Sequence, residues 1–540
     1  MASRTMGILR WIWRQLQWVG ALVLIALVLL AANLLWRLNI DRAETFADQV
    51  AQFKYGSTGG DKNFGFPYPM WEAMPVLFKR FLPEGRQDEG WAALGFIYED
   101  EKDLPREGLR RRRPVGTSLR NHMGIDRVFL NCAGCHAGRV RTEEGGKAVI
   151  YAGMPANTLD LSAFQEFLRN AAISQDFTPE RFLAQIDAMG IRLGFINRLA
   201  LRYYGVALAR TQILLLADRF KFLENEPTFG PGRFDTFSPA KALLNWNFEH
   251  LQEKELIGVV DFPSIWLQKR KEGMHLHWDG NNTNVRERNR SAAFGTGATP
   301  AILDRPSIQR MEAWLETAEP PKFVDLFPGQ LDSARATRGA EIFKDNCATC
   351  HGKDGRDFSG GRVGEVVPIR VIGTDRSRLD SYTYELSLSQ NVLYPNIPEE
   401  RFQNFRKTNG YAVVPLDGIW LRAPYLHNGS VPSLWALLQP PAHRPKAFLR
   451  GHDVYDPVDV GFESRPEKIP QAVQGKLFCY VTHEGEGSKC PAGKEPAKGA
   501  KYKCDGEGGM CRGNGNVGHP FGTDLSDDHK RDLIEHLKTF

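Results

Sequence analysis

Two short motifs contain residues that can bind a cofactor covalently. Residues 132–136 (Cys-Ala-Gly-Cys-His) and 347–351 (Cys-Ala-Thr-Cys-His) both read Cys-x-x-Cys-His. Two thiols one helical turn apart can form thioethers with the vinyl groups of a haem, and the next histidine can bind its iron. The motifs therefore predict two c-type haems. Their expected thioether and axial residues are Cys132, Cys135 and His136 for haem 1, and Cys347, Cys350 and His351 for haem 2.

Two other interpretations explain the motifs less well. A thioredoxin-like redox pair follows a strand and does not need the histidine. A zinc site needs cysteine and histidine ligands that converge on one tetrahedral centre, whereas each motif here is self-contained. Since c-type haem is attached outside the cytoplasm, the motifs also predict an extracytoplasmic body.

The N-terminal segment is expected to anchor this body in a membrane. Residues 15–36 carry no charge, and at about 1.5 Å per helical residue they span roughly 30 Å of hydrocarbon. Three arginines precede the run, whereas the two that follow it have acidic residues beside them that offset their charge. The positive-inside rule then predicts a single-pass anchor in a bacterial inner membrane, with the catalytic body in the periplasm. A cleaved signal peptide is the alternative.

A second apolar region, from Leu199 to Leu216, is not predicted to be another transmembrane helix. Arginines recur through it at 202, 210 and 219, so it is predicted to be a buried helix of the soluble body.

Composition limits the classes of function. The 540 residues are 42% apolar and carry a net charge of +5, which indicates a folded chain of several domains and not a disordered one. So weak a charge gives no general phosphate-binding field, so no nucleic acid partner is expected. The expected partners are the membrane, through the N-terminal helix, a redox donor or acceptor protein, and a small oxidant.

The elements around the second motif predict a familiar scaffold. A helix over 334–343 ends just before Cys347, and a terminal helix carries apolar residues on one face. This pair resembles a cytochrome c domain, in which Gly339 would let the helices cross closely and Phe343 would pack on the haem edge. The first motif lacks a preceding glycine helix, and a helical region from about 159 to 224 is expected to enlarge its domain.

The expected fold is therefore mainly α: an N-terminal transmembrane helix followed by two cytochrome c-like haem domains, the first enlarged by helical insertions. The predicted divisions are 1–44 for the cytoplasmic tip and anchor, 45–325 for the first haem domain and 326–540 for the second. A proline-rich stretch at 319–329 marks the boundary between the haem domains.

Tandem c-type haem motifs resemble the bacterial diheme cytochrome c peroxidase superfamily. Several further segments are closer to its diheme rubber-oxygenase-like branch: residues 71–75, 95–96, 130–132, 278–282, 287–289, 418–430 and 518–523. The resemblance runs from about residue 65 to the C-terminus. It implies that peroxide or dioxygen meets iron at haem 1, while haem 2 has two axial ligands and transfers electrons.

The resemblance also suggests axial ligands for haem 2. Peroxidases of the superfamily supply a methionine shortly after a Pro-Tyr-x-His-x-Gly segment, but residues 431–443 contain none. A histidine is therefore expected, as in the rubber oxygenases. His519, just before the terminal helix, is preferred, with His427 as the alternative and His443 as a third candidate.

At haem 1 the sixth position is expected to be open. The candidates that could close it are His122, Met123, Met154, His275 and His277. The resemblance implies that Trp278 lies between the haems as an electron relay and that Phe294 is a distal aromatic, although either could be an ordinary core residue. The oxygen-rich residues 279–282 could hold calcium, but a simple turn explains them equally well.

Four further cysteines lie in a glycine- and lysine-rich loop at 475–518: Cys479, Cys490, Cys504 and Cys511. Their spacing does not give zinc knuckles, so two disulfides in one of three pairings are expected in an oxidising compartment.

The predicted function is a haem oxidoreductase that activates peroxide or dioxygen at haem 1, with electrons relayed through haem 2. The alternative is a pure electron-transfer diheme cytochrome that serves a membrane respiratory complex.

Overall fold

The computed structural model of the chain describes residues 2–221, 228–393, 401–484, 504, 506 and 509–540. The fold is mainly helical, with short antiparallel strand pairs between the helices. The α-helices are Ala2–Leu38, Gln49–Tyr55, Gly60–Asn63, Tyr68–Leu77, Cys132–Cys135, Leu161–Ile173, Pro179–Ala188, Phe195–Ala200, Val206–Arg219, Ser238–Leu243, Val285–Gly295, Arg305–Thr317, Phe323–Leu326, Ser333–Asn346, Ala348–His351, Ile369–Ile372, Ser377–Ser381, Tyr384–Asn391, Leu434–Leu437, Gln471–Gln474 and Asp527–Leu537. The strands are Asp41–Ala43, Phe66–Pro67, Thr117–His122, Ile125–Leu130, Ala137–Val140, Val149–Ala152, Arg233–Asp235, Val259–Asp261, Val366–Pro368, Gly410–Ala412, Ala447–Arg450, Tyr455–Asp456, Gly461–Phe462 and Phe478–Val481.

The first helix, Ala2–Leu38, contains a stretch from Met6 to Leu38 that is long and apolar enough to cross a membrane. Its apolar side chains are exposed along most of its length. The chain then enters strand Asp41–Ala43, which joins the helix directly to the body.

A four-stranded antiparallel sheet holds the first motif. Its strands lie in the order 41–43, 117–122, 125–130 and 66–67, and Thr117 pairs with Leu130. The motif begins two residues after this pair, so the sheet fixes where the chain turns into helix Cys132–Cys135.

Aromatic residues dominate the core beside this sheet. The indole rings of Trp71 and Trp91 stack with centroids 4.1 Å apart, and Phe164 meets Trp91 edge-on at 5.8 Å. Stacked and edge-to-face pairs are the preferred arrangements of aromatic rings. Helices Leu161–Ile173 and Val206–Arg219 cover this cluster.

Around the second motif, helix Ser333–Asn346 crosses the terminal helix Asp527–Leu537. A Cβ atom at Gly339 would overlap the backbone carbonyl oxygen of Asp532, so the crossing is close because that position is glycine. Arg338 reinforces the crossing, since its guanidinium donates to the Asp532 carboxylate at 2.7 and 2.8 Å.

One apolar cluster joins residues from both sides of the predicted boundary at 325. Met154 and Trp266 pack in it together with Trp420, Tyr455 and Ile534. The two Cys-x-x-Cys-His regions thus share buried contacts. The division into two haem domains remains a prediction.

Candidate haem-binding sites

The first motif is fixed in place by Asn131, which precedes it. The Asn131 side chain accepts a hydrogen bond from the Ala133 amide at 3.0 Å and caps the short helix. Its amide nitrogen donates to the carbonyls of Lys54 and Gly56 at 3.2 and 2.8 Å. Neither motif cysteine takes part in a disulfide, so both sulfurs are available for thioether bonds.

His136 is oriented by a backbone carbonyl. Its Nδ1 lies 2.9 Å from the Pro263 oxygen, so this nitrogen carries the hydrogen and Nε2 is left to bind a metal. Burial and the Arg288 charge lower the pKa of His136 to about 3. The imidazole is therefore neutral at pH 7, which is the form that ligates metals.

A large cavity adjoins His136. It has a volume of about 1690 Å³ and is lined mainly by apolar side chains, with Cys132, Cys135 and His136 in one wall. Single small-molecule sites usually measure about 300–1,000 Å³. The cavity therefore suits a haem bound to the motif together with a further molecule.

Of the five residues considered as sixth ligands here, His277 lines this cavity. Burial and the charges of Arg288 and Arg378 lower the pKa of His277 well below its usual value. The His277 Nδ1 lies 2.6 Å from the Asn281 side-chain oxygen.

The other four candidates lie elsewhere. His122 is beside Asp41 in the sheet, Met123 is exposed at a strand turn, and Met154 is buried in the cluster that spans the boundary. His275 Nδ1 lies 2.7 Å from the Gly280 carbonyl oxygen.

Arg288 is a site residue that the sequence analysis missed. Its guanidinium lines the cavity, burial lowers its pKa to about 10, and its charge lowers the pKa of both His136 and His277. A buried cation is costly without an anionic partner, and a haem propionate would supply one. The run 287–289 was noted only as part of a family resemblance, with no role for the arginine.

Two predicted aromatic residues also line the cavity. Phe294 meets Phe402 with ring centroids 5.9 Å apart. The Trp278 indole donates to the Asp261 carbonyl at 2.8 Å. Trp278 also packs against an apolar cluster with Tyr411 and Ile372, and this cluster reaches toward the second motif.

At the second motif, His351 faces His519. Their imidazole ring centroids are 6.4 Å apart, and burial lowers the pKa values to about 4 and about 3 respectively. Metal–imidazole bonds of about 2 Å on each side of one ion require roughly this spacing. The neutral histidine pair and the two thiols of Cys347 and Cys350 thus fit a c-type haem with two histidine ligands.

The backbone around His519 is held from several sides. Its amide donates to the Ile372 carbonyl at 2.7 Å, and its φ of +46° lies in the left-handed region that non-glycine residues seldom adopt. The Arg444 guanidinium donates to the carbonyls of Asn516, Gly518 and His519 at 2.7 to 3.2 Å. Arg444 is a second residue that the sequence analysis missed.

The two other histidine candidates for the second site lie apart from His351. His427 is buried and stacks on Tyr411 at 4.1 Å, and its Nε2 lies 2.9 Å from the Tyr411 hydroxyl. His443 is exposed in a short 3₁₀ helix.

Residues 279–282 are engaged within the protein. Asp279 accepts hydrogen bonds from Arg378 at 2.7 and 3.1 Å, and the Asn282 amide donates to Glu287 at 3.1 Å. The described residues form no cluster of three or more acidic, histidine or cysteine side chains suited to a metal ion.

Cysteines of the 475–518 loop form disulfides. Cys504 is bonded to Cys511, and Cys479 is disulfide-bonded. Cys490 lies outside the described residues. The following segment is tied to Asp375, whose carboxylate accepts from the amides of Gly513 and Gly515 at 3.2 Å.

Family comparisons place the chain in a class. A cytochrome c model matches residues 336–396, which include the second motif. The protein is thus a c-type cytochrome, a class that carries covalently bound haem. A model described as RoxA-like, cytochrome c-like matches residues 410–449. Together these matches support the resemblance to c-type cytochromes of the rubber-oxygenase-like branch.

Two proteins of Sinorhizobium fredii (strain NBRC 101917 / NGR234) are similar to the chain. Uncharacterized protein y4iM is 32% identical over 244 residues, which cover 41% of this chain and 53% of that protein. The match therefore spans about half the length of y4iM. Uncharacterized protein y4iJ is 27% identical over 499 residues, which cover 76% of each chain.

Proposed function

We propose that this c-type cytochrome is a membrane-anchored periplasmic diheme oxidoreductase that activates peroxide or dioxygen at the first site. The observation that carries the proposal is a difference between the two sites. His136 borders a cavity of about 1690 Å³, whereas His351 faces the His519 ring at 6.4 Å. The first site has room for a substrate beside its cofactor, and the second has protein ligands on both faces.

Residues of the first site prepare it for chemistry. Pro263 fixes the His136 ring, and its carbonyl strengthens the donor nitrogen by accepting the other ring hydrogen. Arg288 would hold an anionic propionate, and the apolar lining would limit water beside the reacting atoms. A haem bound there supplies an iron that can bind and reduce peroxide or dioxygen.

Trp278 is the proposed electron relay between the sites. It lines the cavity of the first site and packs against the same apolar cluster as Ile372. The Ile372 carbonyl in turn accepts the His519 amide hydrogen at 2.7 Å. A packed cluster and one backbone hydrogen bond thus link the first cavity to His519, the proposed second axial ligand.

The N-terminal helix supports the proposed location. Its apolar stretch is long enough to cross a bilayer. Three arginines precede the uncharged run 15–36, and one follows it before the first acidic residue. This arrangement favours a body outside the cytoplasm, where disulfides such as Cys504–Cys511 persist.

Spectroscopy of the full-length protein tests the proposal. Optical and electron-paramagnetic spectra of the oxidised and reduced forms should show one low-spin haem and one haem that binds carbon monoxide and responds to peroxide. The H277A variant should keep that behaviour, because the proposal leaves the sixth position of the first site open. If neither haem binds carbon monoxide in any redox state, the proposed chemistry is wrong.

A second candidate function is electron transfer alone, and His277 is the observation that favours it. This buried imidazole lines the same cavity as His136, so it could close the sixth position. In that case the wild-type protein would have two low-spin haems that do not bind carbon monoxide, and the H277A variant would have one haem that binds it.

A further inference from the structure

An exposed apolar stripe runs along a helical segment that the sequence predicted to be buried. The segment 195–219 consists of helix Phe195–Ala200, a π-helical turn over Leu201–Gly205 and helix Val206–Arg219. Phe195 is 76% exposed, Tyr203 74% and Leu215 61%. Eight residues separate Phe195 from Tyr203, a rotation of about 80° on a helix, so these two side chains lie on one side of the segment, with Leu215 further round the axis. Most residues of the segment are not buried, and the prediction of a buried helix is wrong for this face.

The stripe begins where the N-terminal helix meets the body. Arg37, in the last turn of helix Ala2–Leu38, donates to the Asn197 side-chain oxygen at 2.6 Å. The Met123 amide donates to the Ile40 carbonyl at 2.9 Å, and the Met123 side chain is exposed beside the same junction. Residues 123 and 195–204 therefore lie close to the level at which the apolar helix ends.

We propose that this face rests on the outer leaflet of the bilayer that the N-terminal helix crosses. The inference depends on the proposed membrane anchor. Tyrosine at the end of an apolar span is typical of the interface between membrane and water, because its ring combines an apolar body with a polar hydroxyl, and phenylalanine adds apolar surface that can enter the same layer. A helix with an exposed apolar face beside arginines is typical of one that lies in the plane of that interface.

The charges of the segment indicate that apolar contact dominates the seating. Arg198 is paired with Asp187 at 2.6 and 2.7 Å, and Arg202 lies 3.9 Å from Glu180. Arginines neutralised in this way contribute little attraction to anionic headgroups. These pairs account for two of the four arginines in the segment, and the proposed occupant is the apolar part of the lipid surface.

The opposite face of the same helix borders the first site. Ala209 and Ile213 are buried, and both line the cavity that adjoins His136. Seating helix Val206–Arg219 on the leaflet would thus place one wall of that cavity next to the membrane.

Single fluorescent labels on the full-length haem-loaded protein test the seating in nanodiscs of phosphatidylcholine. The labels are attached to cysteines introduced as F195C and Y203C. Tyr384 and Val458 provide matched controls as Y384C and V458C, since they are 68% and 59% exposed and lie in other parts of the chain. Each label is quenched by a lipid carrying a spin label near its headgroup, and separately by iodide in the water.

Labels at 195 and 203 should be quenched by the lipid at least twofold more strongly than the controls and should be protected from iodide. If iodide quenches the labels at 195 and 203 as strongly as the label at 458, the proposed contact with the membrane is wrong. A label on L35C, at the end of the apolar stretch where Leu35 is 63% exposed, reports the anchor itself. If it is quenched by lipid while 195 and 203 are not, the seating alone is wrong; if it is not quenched, the anchor and the seating are both wrong.

Discussion

The imidazole rings of His351 and His519 face each other at 6.4 Å, although they lie far apart in the chain. His351 is the last residue of the second motif, whereas His519 lies in the loop before the terminal helix. Both rings are neutral at pH 7, because burial lowers their pKa values to about 4 and about 3. The spacing matches two histidine ligands on one iron, and it decides what the second site can do.

Replacing His519 by alanine should open the second site. We expect H519A to keep its covalent haem content but lose one low-spin signal and gain a carbon monoxide-binding haem, because the removed imidazole leaves an open axial position. Carbon monoxide difference spectra and electron-paramagnetic resonance measure this change. The control is H443A, which removes an exposed histidine and should match the wild type. An unchanged low-spin signal in H519A would point to another ligand.

Arg444 should act as a positioning residue for His519. Its buried guanidinium donates to five backbone carbonyls, including that of His519. R444M leaves these oxygens without donors, at a cost of about 1–3 kcal/mol for each one that stays unsatisfied. We expect a lower melting temperature and partial carbon monoxide binding at the second site.

R444K separates charge from geometry in this test. Lysine keeps the charge but lacks the planar fork of donors, so its spectrum should fall between those of the wild type and R444M. R376M, which removes an exposed arginine paired with Asp380, serves as the control. A destabilised R444M with a wild-type spectrum would show a purely structural role.

Gly339 should tolerate no side chain. In G339A the new methyl group meets the Asp532 carbonyl, so the two helices must separate, and overpacking of this kind costs about 1–3 kcal/mol. The matched control is G295A, also in a helix, where an added Cβ meets no atom within 4 Å. Thermal unfolding should show a lower melting temperature for G339A and an unchanged melting temperature for G295A. Equal melting temperatures for both variants would contradict the close crossing.

Glu72 should make stability depend on pH. Burial raises its pKa from 4.5 to about 7, so the folded state keeps a proton that the unfolded chain releases near pH 4.5. The free energy of unfolding that this carboxyl group contributes is therefore lost as the pH rises from about 4.5 to 7. We expect E72Q to stabilise the protein by on the order of 1–3 kcal/mol at pH 8.

At pH 4 the E72Q effect should disappear, since both states of the wild type are then protonated at this residue. Denaturant unfolding at the two pH values measures the difference. E84Q is the control, because it removes an exposed carboxylate from the same region. A gain of equal size at both pH values would mean that burial of the charge is not the cause.

Predictions from the sequence succeeded where the signal is local. The sequence predicts a helix over 334–343 that ends just before Cys347, and the structure has helix Ser333–Asn346. Predictions that depended on distant contacts fared less well. The apolar, arginine-containing segment around Leu199 has the composition of a buried helix, yet Phe195, Tyr203 and Leu215 are each more than 60% exposed.

The sequence by itself predicted c-type haem, since two thiols and a histidine at fixed spacing need only one helical turn to act together. The tertiary structure alone decided the surroundings of each motif. Pro263, Arg288 and Arg444 carry no motif that marks them, and they reach the histidines only through folding. The physical reason is that axial geometry, burial and charge arise from contacts between distant segments, which no local pattern records.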